Sequence, residues 1–203
     1  MNIEKLTLKQ MMENDQYYSL SDGLLQLPVP DKIKIGKYYD VPADLKAFSD
    51  SICYGQRLFM AVKEPNDFGA ILRIMDGFYY PIVSGDIWDD DYALSFGKEI
   101  LNCKVIEVYP VANHLVKLMT ELVQREIKIL QRKPSKQEVA AGIDKLSKFA
   151  ELTSIKYLQS SFGYTEEQVM LAPYNDCLVE FMLAKEQNEF QERLAEVYKN
   201  EKK

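Results

Sequence analysis

The chain has 203 residues, 47% of them apolar and 28% charged, and its 25 lysines and arginines stand against 31 acids for a net charge of −6. A chain of this length and apolar content buries a sizeable core without disulfides or metals, which excludes wholesale disorder. The acidic balance argues against nucleic acid as the main partner, since such binding rests on basic patches, and no apolar run approaches the ~18 residues of a membrane span.

The opening MNIEKLTLKQMMEND is mixed in charge and lacks the apolar stretch of a signal peptide, so a protein made in the cytoplasm, or assembled there into something larger, is expected. Thr7 caps a short helix over Leu8 to Asn14, with Leu8, Met11 and Met12 on one face. From Leu24 to Pro42 three prolines and Gly36 exclude a long helix. Ile33 and Ile35 alternate with lysines there, as in one short strand or an extended arm. A loop packed on its own core is the first reading of this stretch, and an arm lying across a neighbour the second.

Ala43 to Lys63 turns helical, with Leu45, Phe48, Ile52, Phe59 and Val62 in period, a mild interruption at Gly55 and a stop at Pro65. Asn66 or Asp67 then caps a helix holding Ile71, Leu72 and Met75 that is expected to stop near Gly77. GFYYPIVSGDIW follows as an aromatic, turn-rich connection whose rings plug a core or, alternatively, form an exposed contact patch. Asp89, Asp90 and Asp91 open the next helix, which runs towards Leu101. CKVIEV fits a strand as well as more helix, and Pro110 suits the first turn of the helix after it. That helix carries two adjacent apolar stripes, one through Val116, Met119, Val123, Ile127 and Leu130, and is expected to pack on both sides.

Pro134 and Ser135 mark the expected boundary between an N-terminal helical core with an extended arm (1–134) and a C-terminal helical subdomain (135–203). Ser135 with Glu138 forms a capping box, a short helix spans Ser154 to Ser160, and Thr165 caps another. Pro173 begins a final long helix, in which the polar stretch Lys185 to Glu189 separates Tyr174, Cys177, Leu178, Phe181 and Met182 from Phe190, Leu194 and Val197. It should pack at its start and project at its end. The fold class is therefore mainly α, a helical bundle with at most one or two short strands.

Chemistry leaves few traces. There is no phosphate loop, nucleophile elbow, dinucleotide fingerprint or metalloprotease helix. His114 is the only histidine, at the start of the apolar central helix, where packing or capping is its expected role. Cys53, Cys103 and Cys177 are odd in number and far apart, which reads as buried free thiols rather than a zinc site. Asp86, Asp89, Asp90 and Asp91 miss the spacing of a calcium loop and suit the N-terminal dipole of a helix; a weak divalent-ion site or a patch for a basic surface is the alternative. The basic run Lys128, Arg132, Lys133 and Lys136 reads first as a solvated helix end, and only second as a nucleic-acid contact. No catalytic, metal or cofactor residue is assigned.

PIVSGDIWDDDYALSFGKEIL, AGIDKLSKF and MLAPYNDCLVEFMLAKEQNEFQERLAEV together resemble small helical tail and head–tail connector proteins of tailed bacteriophages, in the flavour of the crAss-like phages. The resemblance runs from about Phe78 to the end. It implies a non-enzymatic virion protein, a homo-oligomeric ring subunit in the tail or head–tail region that touches other virion proteins. A tail-assembly chaperone absent from the mature particle is the alternative, and a metal-dependent enzyme built around the acidic cluster a more distant one. The expected contact residues are Ile33, Ile35, Tyr38 and Tyr39 of the arm, Tyr79, Tyr80 and Trp88 of the aromatic connection, and Phe190, Leu194 and Tyr198 of the last helix.

Overall fold

The structure is a computed structural model that describes residues 3–60, 68–84, 90–132, 134, 136–140 and 142–201. It is mainly helical. The helices are α1 (Leu8–Met12), α2 (Ser21–Leu24), α3 (Leu45–Ser51), α4 (Tyr54–Phe59), α5 (Phe68–Ser84), α6 (Asp90–Leu101), α7 (Val105–Leu130), α8 (Lys136–Ala140), α9 (Ala150–Phe162), α10 (Glu166–Leu171) and α11 (Tyr174–Glu201), with short 3-10 turns at Ile3–Lys5, Asp15–Leu20 and Ile143–Phe149. The strands β1 (Lys32–Ile35) and β2 (Lys37–Asp40) form one antiparallel hairpin. Among the described residues no helix is long and apolar enough to cross a membrane.

The arm-like segment folds back on itself. Gly36 turns the chain at φ 66°, a left-handed conformation that glycine adopts without a Cβ clash, and Ile33 then pairs with Tyr39. Alternation puts Ile33 and Ile35 inward, both buried, and leaves their lysine neighbours in solvent. Two side chains of α7 hold this region down. Asn113 donates to the Leu25 carbonyl at 2.9 Å, and His114 Nε2 lies 2.7 Å from the Pro42 carbonyl, so a polar anchor is what His114 supplies.

α7 is the axis of the main core. Val105, Val108, Tyr109, Val111, Ala112, Leu115, Leu118, Met119 and Leu122 are all buried along it, between α3, α5 and α11. Pro110 is six residues into this helix rather than in its first turn, because the helix already starts at Val105 after an extended Lys104. Lys104 bridges Thr7, and the Leu8 and Val105 amides donate to the Cys103 and Leu6 carbonyls, which decides between strand and helix for CKVIEV: one bridging residue, then helix. The price is the hydrogen bond that residue 110 would have given the Ile106 carbonyl.

The helix expected over Ala43–Lys63 is two helices, and the break lies at Ile52–Cys53 rather than at Gly55. Both residues are extended there because the backbone pairs with a distant segment: the Tyr54 amide donates to Ala172 and the Tyr174 amide to Ile52, at 2.9 and 3.1 Å. Gly55 stays helical, where a Cβ would come within 2.9 Å of the Met170 carbonyl oxygen, so a glycine is needed for α10 to approach.

The aromatic stretch is not a connection over its first half. α5 continues through Gly77 and Pro81 to Ser84. Proline has no amide to give the carbonyl four residues back, which is Gly77. Gln56 replaces it from outside the helix: its Nε2 donates to the Gly77 and Phe78 carbonyls at 3.2 and 2.5 Å, while its Oε1 accepts from the Cys53 amide at 2.9 Å. This accounts for a glutamine that is only 3% exposed. Gln56→Leu leaves a buried carbonyl and a buried amide unpaired, and denaturant unfolding is expected to show a loss of about 2–3 kcal/mol.

A second, smaller cluster packs Tyr54 of α4 against Leu158, Val169, Ala172 and Cys177, with Leu58, Ile155, Phe162 and Phe181 around them. Thr165 caps α10 with Gln168 in a reciprocal capping box, as Thr7 does with Gln10 for α1. α9 is longer than the expected Ser154–Ser160, and it ends at Gly163 with φ 71°. Ser135 lies outside the described residues; Glu138 pairs with Arg132.

Candidate contact surface

The expected contact residues divide sharply. Ile33, Ile35, Tyr79 and Tyr80 are inside the main core and present nothing to a partner in this fold. They are apolar side chains on the inner faces of elements that the sequence leaves open to a neighbour. Tyr39 is half-buried, its ring 5.6 Å from that of Tyr79. Tyr38, on the outer face of the hairpin, is 68% exposed beneath the Lys34 ammonium. Trp88 lies outside the described residues, as do Asp86 and Asp89. Asp90 and Asp91 open α6 as expected.

α11 holds the remaining three. This helix of 28 residues has two apolar faces. The inner one is anchored by Tyr174, Cys177 and Leu178, all buried, and by Phe181 against the rings of Tyr54 and Tyr157. Further along, Lys185 donates to the Ile129 carbonyl at 2.8 Å, one of the carbonyls that α7 leaves without a helical partner, and Arg132 clasps both Glu138 and Glu192. About half a turn round, Val179, Leu183, Phe190 and Val197 fall within about 40° of one another at 3.6 residues per turn. They are 63%, 49%, 52% and 51% exposed. Leu194 is half-buried beside this stripe, and Tyr198 is exposed at its far end.

A cleft of about 420 Å³ separates α4, α7, α9 and α11, lined by Tyr54, Arg57, Glu126, Arg132, Ser154 and Lys185 among others. Its lining cations, Arg57, Arg132 and Lys185, are each engaged. Arg57 donates from Nε and Nη2 to the two oxygens of Glu126 at 2.9 and 2.8 Å, and the Tyr174 hydroxyl approaches the same carboxylate at 3.4 Å. Lys185 and Arg132 are engaged as described. Such a network ties helices together and leaves no cation poised for a ligand in the cleft.

Of the three thiols, Cys103 and Cys177 are buried and Cys53 is half-buried. Burial, helped by the Glu107 and Glu99 carboxylates, pushes Cys103 up to about 12, and burial with Asp176 and Cys53 nearby does the same for Cys177. Protonated thiols are poor nucleophiles at neutral pH. Among the described residues no group of three or more histidines, cysteines and acids is placed to hold a metal ion.

One acid is out of keeping with its surroundings. Asp76 of α5 has an oxygen with no hydrogen-bond partner among the described residues, and burial lifts its pKa from 3.8 to about 6. The fold therefore favours the neutral acid more than the unfolded chain does. The resulting penalty is fully present above about pH 6 and is relieved as pH falls towards 3.8. Asp76→Asn is expected to melt higher than the parent at pH 7, by a few degrees on the scale of about 2–4 °C per kcal/mol, and to lose that advantage at pH 4. Paired melts at the two pH values check it.

Compared with known protein families, curated proteins and solved structures, the chain matches none.

Proposed function

We propose that this chain is a non-enzymatic structural subunit that works through protein–protein contact, as a ring component in the tail or head–tail connector of a tailed phage. The observation that carries the contact reading is the outer stripe of α11, four large apolar side chains about half exposed on the face opposite the one that packs. Singly exposed apolar residues need no explanation, but a run of them in register on one long helix marks an interaction face. The phage setting rests on the sequence resemblance from Phe78 onward. A single ring needs two different faces, since each subunit meets its neighbour heterologously. The outer side of the hairpin around Tyr38 is the second exposed element we assign to contact.

Light scattering on the untagged protein, alone and after mixing with phage particles, tests the proposal. A closed oligomer that enters the particle is expected. A stable monomer that ignores particles overturns it, and an oligomer that co-purifies with a tail component but is missing from mature virions replaces it with the assembly-chaperone role.

A further inference from the structure

Given the contact reading of α11, its outer stripe has one occupant that the pattern itself specifies. We propose that it pairs with α11 of a second copy of this chain, antiparallel, about a two-fold axis at Phe190, a contact that joins subunits of two stacked rings and leaves the heterologous contacts within each ring to other surfaces.

The spacing comes first. Leu183, Phe190 and Val197 recur every seven residues, the period that keeps a helix face against a partner helix through a left-handed supercoil. Turning the helix end for end about Phe190 maps this set onto itself: Phe190 meets the partner's Phe190, and Leu183 meets the partner's Val197 on each side. A surface that is its own complement is what a two-fold contact requires.

Charge selects the direction. Glu186 and Arg193 lie about a turn before and a turn after Phe190, in line with Val179 by the seven-residue period, so the antiparallel arrangement sets each Glu186 beside the partner's Arg193, twice. A parallel arrangement in register stacks Glu186 on Glu186 and Arg193 on Arg193. Arg193 is free to turn, being 61% exposed and only loosely held by Glu189 at 3.7 Å. The same acids count against a membrane surface as the occupant: Glu180, Glu186, Glu189, Glu192 and Glu196 punctuate the helix, where membrane-lying helices carry lysine and arginine.

Shape agrees. The first half of α11 is packed on its inner side, and beyond Glu189 nearly every residue is exposed. End-for-end pairing lays the projecting half of each helix on the outer face of the packed half of the other. The two globular bodies then sit at opposite ends of the pair, clear of one another.

Sedimentation equilibrium on the full chain is the test. The parent is expected to dimerise, and Phe190→Asp to weaken dimerisation on the order of 100-fold or more, since it places two charges at the centre of the contact. Its melting temperature at monomeric concentration should match the parent's, because Phe190 is outside both buried clusters. Glu186→Arg alone and Arg193→Glu alone should each weaken the dimer, and the double exchange should restore it. A parent that stays monomeric up to millimolar concentration overturns the pairing. So does a dimer indifferent to Phe190→Asp, and so does a double exchange no better than the single changes. A monomer that still enters particles overturns the pairing and leaves the structural role standing; a dimer with the expected charge behaviour that ignores particles does the reverse.

Discussion

Phe78→Ala is expected to destabilise the fold by about 3–5 kcal/mol, the range for emptying a buried aromatic site. Phe78 is 1% exposed; its ring stacks on Phe48 at 5.5 Å and meets the edge of Tyr79 at 4.7 Å. The loss therefore includes transfer of the ring, the two aromatic contacts and a cavity where α3 and α5 meet. Refilling is poor, because the neighbours are held in place: Phe48 sits on a helix capped by Asp44, and the Phe78 carbonyl itself is bound by Gln56. Melting should fall by about 6–20 °C, at about 2–4 °C per kcal/mol for a chain of this size. Phe190→Ala, in the same assay at monomeric concentration, should change stability by less than about 0.5 kcal/mol. If the two changes cost the same, the aromatic segment is not the core element described.

Glu126→Ala is expected to cost about 2–4 kcal/mol, near the low end for breaking a buried pair because both side chains keep a little solvent. Arg57 and Glu126 are 17% and 18% exposed and joined by two parallel hydrogen bonds. Removing the carboxylate strands a guanidinium whose burial by itself favours the neutral form. Replacing both, as Arg57→Met with Glu126→Leu, removes the stranded charge as well and should cost less than Glu126→Ala alone. Urea unfolding of Arg57→Met, Glu126→Leu and their double closes the cycle; strict additivity would show that the pair contributes nothing. High salt should change the coupling little, unlike the exposed Lys9–Glu13 pair.

Much of the helical framework is legible in the sequence because it is set locally. Thr7 and Thr165 announce the starts of α1 and α10 through a side chain and its partner three residues on, and the stripes of α7 follow from period alone. The failures occur where a distant segment decides. The sequence around Gly77 and Pro81 contains every sign of a stop, and α5 runs on only because Gln56 supplies the hydrogen bond that Pro81 cannot. Ile52–Cys53 breaks for the sake of residues 172–174, which no local pattern can anticipate. The contact surface divides in the same way. The last helix is an exposed face by spacing and polarity, whereas Tyr79 and Tyr80 are aromatic in a context that serves a core as well as an interface. Only the packing of α5 against α6 and α7 tells the two apart.

The pairing of Ile52–Tyr54 with Ala172–Tyr174 also governs when the molecule becomes whole. A nascent chain leaves the ribosome with α4 long before α10 and α11, so Tyr54 and Leu58 wait uncovered until those two helices are made. Contacts this remote in sequence form late, since a long loop must close before they give anything back. Translation, not only thermodynamics, thus sets a window in which a sticky, unfinished surface exists, and it shuts as α11 arrives. Truncations that stop short of residue 172 should hold the chain in that window, bind chaperones and aggregate, even though most of the main core is already encoded in them.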